Sequence, residues 1–102
     1  MNKYRNIPTA VDGIIFPSKK EASRYVELKM LQRSGIITEL DWQRKYPLMV
    51  NGVKICTYIA DFRYLDKDGR EVVEDVKGVR TAVYKLKAKL MIAIYGIRVI
   101  ET

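Results

Sequence analysis

The sequence predicts an α/β fold whose elements run helix, three antiparallel strands, helix, strand, so that the last strand makes the central sheet mixed. Three observations predict it. Two segments with helical spacing of apolar residues, Ser18 to Arg33 and about Ala82 to Tyr95, flank a long stretch of extended chain. Within that stretch Asn51-Gly52 and Lys67-Asp68-Gly69 read as hairpin turns, which makes three consecutive strands antiparallel. A helix delivers the final run, Ile97 to Ile100, and such a strand is expected parallel to a neighbour.

The elements follow in order. Residues 1–17 are read as a basic arm and hairpin, and residues 18–102 as the core of a single domain. Lys3 and Arg5, with Tyr4 between them, suit contact with phosphates or exchange with a partner subunit; a peripheral ribbon is the simpler reading. Thr9-Ala10-Val11 and Ile14-Ile15-Phe16 flank Asp12-Gly13, the signature of a type I′ turn. Ser18 is a good N-cap for the first helix, and Ser34-Gly35 stops it. Ala22, Tyr25, Val26, Leu28, Met30 and Leu31 cover so wide an arc that this helix is expected to be contacted on more than one side. Ile36 to Val50 continues as extended chain, with Pro47 marking a bulge or an edge. The return run from Val53 to Phe62 is apolar on both faces apart from Lys54, which predicts a central strand covered on both sides. The second helix is expected to bury Val83, Leu86, Leu90, Ala93 and Ile94 and to end at Gly96.

Composition narrows the function. At 102 residues, 48% hydrophobic and 30% charged, the chain has the make-up of a soluble globular domain. It lacks an apolar run of membrane-spanning length and a signal-peptide pattern, so a cytoplasmic protein with no membrane partner is expected. Cys56 stands alone and gives no disulfide framework. A net charge of +7, from 19 basic and 12 acidic residues, points to a polyanion, nucleic acid first. With no histidine present, Ser-His-Asp hydrolysis, His-based nucleases and the usual zinc sites are excluded. Carboxylates and lysine remain as the groups for hydrolytic chemistry.

Those groups gather in Asp61 to Lys77. If Asp66 faces Arg70 across the Lys67-Asp68-Gly69 loop, counting outward puts Asp61 opposite Asp75, with Cβ atoms about 5 Å apart. Like charges at that distance need a cation. Lys77 projects from the same face as Asp75, because strand side chains alternate. Two carboxylates and one ammonium on one face read as a divalent-metal site for phosphate chemistry. Glu74 should face away from them, toward solvent or a helix, and a one-residue slip of the hairpin would exchange it with Asp75. Glu21 has two readings: as the third residue after Ser18 it completes a capping box, or it points from the first turn at the metal. Arg80, Thr81, Tyr84 and Lys85, just after the site, either grip a DNA backbone or form a solvated helix face; Lys19 and Lys20 are further candidates for nucleic-acid contact.

Asp61, followed on the next strand by Asp75-Val76-Lys77, within this element order, resembles the PD-(D/E)xK nuclease superfamily. The likeness runs from about Ser18 to the end of the chain, and Ala60 stands where that superfamily often has proline. The runs Val11-Asp12-Gly13-Ile14, Ser18-Lys19-Lys20-Glu21-Ala22, Ile59-Ala60-Asp61-Phe62 and Val73-Glu74-Asp75-Val76-Lys77-Gly78 are similar to those of small phage-encoded endonucleases related to Holliday-junction resolvases and transposon-end endonucleases. The resemblance implies a restriction-endonuclease-like core. It further implies Mg²⁺, replaceable by Mn²⁺ and with no organic cofactor, held by Asp61, Asp75 and the Val76 carbonyl. Lys77 would then assist the attacking water, and Glu21 would orient the lysine or a second ion. The implied activity is endonucleolytic hydrolysis of duplex or branched DNA to a 5′-phosphate and a 3′-hydroxyl, in a phage-infected bacterial host. One site makes one cut, so symmetrical cleavage of two strands implies a homodimer. Two other classes compete: a DNA-binding or assembly protein that keeps the fold without cleaving, and a basic interaction module whose acids hold a structural cation.

Overall fold

A computed structural model of the chain describes residues 7–76 and 80–102. Its elements are β1 (Thr9–Val11), β2 (Ile14–Phe16), α1 (Lys19–Arg33), β3 (Thr38–Val50), β4 (Val53–Leu65), β5 (Glu71–Asp75), α2 (Ala82–Tyr95) and β6 (Ile100–Glu101). The principal sheet has the order β3-β4-β5-β6, antiparallel through its first three strands, with β6 parallel to β5. The α/β class and the mixed sheet are therefore as expected, and β1 with β2 forms a small sheet of its own.

Local chemistry sets these boundaries. Asn51 (φ 50°) and Gly52 (φ 77°) both take the left-handed conformation that a type I′ turn requires, and they join two 13-residue strands. Ser18 Oγ accepts the Glu21 N–H at 3.1 Å and starts α1. Thr81 does the same for Tyr84 at the start of α2. Pro47 sits on the edge strand β3, close to a register shift between Leu48 and Met49.

The helices cover opposite faces of the sheet. Successive residues of β5 show it, for Glu74 reaches Arg24 of α1 whereas Asp75 meets Tyr58 on the side packed by α2. One core joins Phe16, Ala22, Tyr25, Leu28, Ile37, Phe62 and Tyr64; the other joins Tyr46, Leu48, Tyr58, Ala60, Val73, Tyr84 and Met91. Phe16 ties the N-terminal hairpin to the first core, its ring 4.9 Å from Tyr25 and 6.2 Å from Phe62.

Three packing expectations need correction. α1 buries one face only, Glu21, Ala22, Tyr25 and Leu28, and leaves Val26 and Met30 exposed. α2 docks through Tyr84 and Met91, with Ala88, Leu90 and Ile94 alongside, whereas Val83, Leu86 and Ala93 are exposed. Apolar spacing on α2 allows two overlapping stripes, and the fit of the Tyr84 ring into the Tyr58 cluster selects one of them. Finally, β4 is not covered on both sides along its length. Val53, Ile55 and Ile59 are each more than half exposed, because β3 and β4 extend together past the helices.

Strand β4 also breaks its own alternation. Tyr58 and Ala60 belong to the α2-side core and Phe62 and Tyr64 to the α1-side core, although all four would share one face of a regular strand. The reversal falls between Ala60 and Phe62. There the register places Asp61 opposite Gln43, which has φ 54°. The β3–β4 register runs unbroken from Asp41–Arg63 to Leu48–Cys56, so no residue is inserted here, and the left-handed backbone of Gln43 marks where the two strands exchange faces.

On the α1 side, Glu74 is almost wholly buried and receives both Arg24 Nε (2.8 Å) and Nη2 (2.7 Å), together with the Tyr64 hydroxyl. Removing the cation strands a buried charge. Arg24→Ala is expected to cost about 3 kcal/mol, and Arg24→Met/Glu74→Leu to recover much of that loss. Chemical denaturation measures both, and a single-variant loss below about 1 kcal/mol would mean that the pair acts like a surface bridge.

Candidate active site

The hairpin that carries the acids has the expected register. Phe62 pairs with Glu74, Arg63 with Val73, Tyr64 with Val72 and Leu65 with Glu71. The Asp66 N–H donates to Arg70 O at 2.9 Å, and Gly69 closes the loop at φ 78°. One step beyond Phe62–Glu74, the same register sets Asp61 against Asp75.

The two carboxyl groups are held by different donors. Asp61 Oδ2 accepts the Val76 N–H at 2.7 Å, so that side chain closes the hairpin where the ladder ends. Asp75, buried, has its Oδ2 bound by the Tyr58 hydroxyl at 2.6 Å. Burial raises the Asp61 carboxyl first, and the hydrogen bond to and repulsion from Asp75 raise it further. The Val76 amide acts against them and Glu21 adds to them, leaving Asp61 pushed up from its ordinary 3.8 to about 8. The Asp61 carboxyl therefore keeps its proton to a higher pH than an exposed aspartate would. Burial also raises the Tyr58 phenol, followed by its bond to Asp75, so Tyr58 is a donor at every working pH.

Above the pair lies a pocket of about 310 Å³, walled by Thr57, Ile59 and Tyr58 from β4 and by Thr81, Val83, Tyr84 and Lys87 from the start of α2. Of the sequence-predicted residues, the structure brings together Asp61 and Asp75 with Val76 bonded to Asp61. Glu21 is buried in the first turn of α1, near enough to act on the Asp61 carboxyl. Ser18 accepts the Glu21 amide, so the capping role and proximity to the acids coexist. Glu74 is turned away to α1, as expected. Lys77, Lys3 and Arg5 lie outside the described residues.

The proposed DNA contacts divide. Lys19, Lys20 and Lys85 are exposed, and Thr81 caps α2 while also lining the acid pocket. Arg80 is bound to Glu101 through Nε (2.8 Å) and Nη2 (2.5 Å). Tyr84 is 7% exposed and its hydroxyl donates to Glu101 at 2.9 Å. Its ring is core and its hydroxyl is engaged, which corrects both readings of Tyr84, as a side chain gripping a DNA backbone and as one on a solvated helix face.

Two site residues were missed. Tyr58 is an odd number of residues from Asp61, so strict alternation puts it on the other face, and only the reversal in β4 brings its hydroxyl to Asp75. Lys87 lies three and four residues from Tyr84 and Val83, a helical spacing that would have placed it on the pocket wall.

A hard divalent cation fits this chemistry. Asp61 carries a raised carboxyl whose proton a cation would displace, and Asp75 stands beside it as a second oxygen donor. Among the described residues, no three acidic or thiol groups converge closely enough to hold an ion by themselves.

Fold and site together define an α/β protein with a facing aspartate pair, Asp61 and Asp75, at the open end of a sheet hairpin. The family model described as protein of unknown function, DUF1064, matches residues 1–99, and the chain belongs to that family. No curated protein and no solved structure matches it. No helix among the described residues is long and apolar enough to cross a membrane.

The raised Asp61 carboxyl fixes the sign of a pH effect. Between about 3.8 and about 8 the folded chain retains a proton that the unfolded chain has lost, so stability contributed by this group falls as pH rises through that window. Asp61→Asn should flatten the fall. Added Mg²⁺ should raise Tm more at the alkaline end of the window than at the acidic end, since it competes with the proton. Melting curves across the pH range test both, and a slope unchanged in Asp61→Asn would assign it to other groups.

Proposed function

We propose that this protein is a Mg²⁺-dependent endonuclease that hydrolyses DNA phosphodiester bonds on a restriction-endonuclease-like core of the PD-(D/E)xK kind. The observation that carries the reading is the Asp61–Asp75 pair, set side by side and open to a pocket with Lys87 on its far wall. A DNA-binding protein that does not cleave has no use for an acid pair next to its polyanion, where each uncompensated carboxylate weakens binding.

In this reading Asp61, Asp75 and the Val76 carbonyl hold the ion, which when bound offsets the acids and polarises a phosphate oxygen. Tyr58 fixes the rotamer of Asp75 and the Val76 amide fixes that of Asp61, so the ligand oxygens are oriented before the ion arrives. Lys77 assists the attacking water, and Glu21 orients that lysine or a second ion. Lys87, on the opposite wall, offsets charge on the phosphate. The exposed cations Lys19, Lys20 and Lys85 hold the DNA backbone. Mn²⁺ should support the reaction, and a homodimer would allow paired cuts in duplex or branched substrates.

Supercoiled plasmid and a synthetic four-way junction, each incubated with Mg²⁺, test the reading. The parent should cleave, EDTA should abolish cleavage, and Asp75→Asn and Lys77→Ala should each lose about a hundredfold or more. No cleavage by the parent, or full activity in both variants, would overturn it. Tyr58→Phe should retain the fold and lose about tenfold at limiting Mg²⁺, with recovery at saturating metal.

A further inference from the structure

Beside the acid pocket runs a second, larger depression of about 500 Å³, between α2 and the segment leading into β6. Its floor is apolar, made by Ala88, Ile92 and Val99. Its rim carries Arg80, Lys85, Lys89 and Arg98, with Glu101 as its one acid. Four cations against one anion leave this small surface at +3. Arg80 is engaged by Glu101, whereas Lys85, Lys89 and Arg98 are exposed and make no ion pair among the described residues. Lys85 and Lys89 stand one helical turn apart on one face of α2.

Tyr84 lines both depressions, so the groove begins where the acid pocket ends. Glu101, bonded to Arg80 and to the Tyr84 hydroxyl, ties that shared wall to β6. A ligand leaving the acid pair along this path meets positive charge on both edges and apolar surface between them.

We propose that this groove holds the sugars and bases of an unpaired nucleic-acid strand, its phosphates lying against Lys85, Lys89 and Arg98, continuous with the strand whose phosphate sits at Asp61 and Asp75. The inference rests on the nuclease reading for the position of the reacting phosphate and deepens it by naming the substrate as one with a single-stranded portion. A duplex keeps its bases stacked inside and would use the rim alone. A concave apolar floor between cations instead matches a strand whose bases and sugars are accessible. Charge selects the occupant class, since a groove at +3 in a chain at +7 favours a polyanion.

The test measures binding of the full chain to a short fluorescently labelled single strand by anisotropy over a salt series, with Ca²⁺ replacing Mg²⁺ so that the strand stays intact. In Lys89→Gln/Arg98→Gln, affinity should fall by about tenfold, and the slope of log affinity against log salt should become shallower by about 1.4, or about 0.7 per lost phosphate contact. Lys54→Gln/Lys67→Gln removes the same charge from the exposed hairpin ends and should change little. Equal losses in both double variants would mean diffuse charge and overturn the groove. Poly-glutamate binding as tightly as the strand would make the occupant an acidic peptide and overturn the class. Duplex binding equal to that of the strand, with equal sensitivity to the groove variant, would overturn the unpaired-strand assignment. The two proposals fail separately: groove-dependent binding by a chain that never cleaves removes the nuclease reading alone, and cleavage with unaltered affinity in the groove variant removes the groove alone.

Discussion

Asp61 and Asp75 repel each other at a place partly withdrawn from water, and their hydrogen-bond donors hold them there. The Val76 amide takes an Asp61 oxygen and the Tyr58 phenol an Asp75 oxygen, and Asp61 retains a proton that it would not hold in solution. Other acids in the sheet are treated differently. Glu74 receives a guanidinium from Arg24, Glu71 one from Arg63, and Glu101 one from Arg80. Asp61, by contrast, makes no ion pair among the described residues. A neutralised acid is structural and spent, whereas an acid held ready by neutral donors keeps its affinity for a cation.

Placing that pair required an irregular strand. Long β-ribbons that alternate without fault would send Tyr58, Ala60, Phe62 and Tyr64 to one face and leave Asp61 among side chains of the other. Reversal opposite Gln43 lets β4 contribute to both cores in turn, with Asp61 at the crossover. The cost is a non-glycine residue at positive φ on an edge strand, on the order of 1–3 kcal/mol. It is carried by aromatic packing on both sides, Tyr25 against Phe62 on one and Tyr46 against Tyr58 on the other.

The rest of the fold serves the same end of the sheet. The first turn of α1 brings Glu21 near Asp61, and the start of α2 brings Thr81, Val83 and Lys87 over the pair. Helix N-termini carry partial positive charge, which favours anionic groups nearby and suits a pocket read as a phosphate site. Val83 and Leu86 on α2, and Val53, Ile55 and Ile59 on β4, remain as exposed apolar side chains that neither core absorbs.

Turn chemistry and caps act over a few residues, and those parts of the molecule were legible without coordinates. Asp12-Gly13, Asn51-Gly52 and Gly69 supply left-handed backbone where the turns need it, Ser18 and Gly96 end their helices, and the loop length of the last hairpin sets Asp61 against Asp75. Which apolar stripe α2 would bury, how far the helices reach along β4, and the route by which Tyr58 meets Asp75 were not legible. Each depends on how distant segments fill one another's gaps, and a local pattern is compatible with more than one such filling. The chain by itself thus determined its element order and the facing of its two acids. Tertiary packing decided how deeply those acids are buried and which donors hold them, because burial and hydrogen-bond partners belong to the assembled layers and not to any single strand.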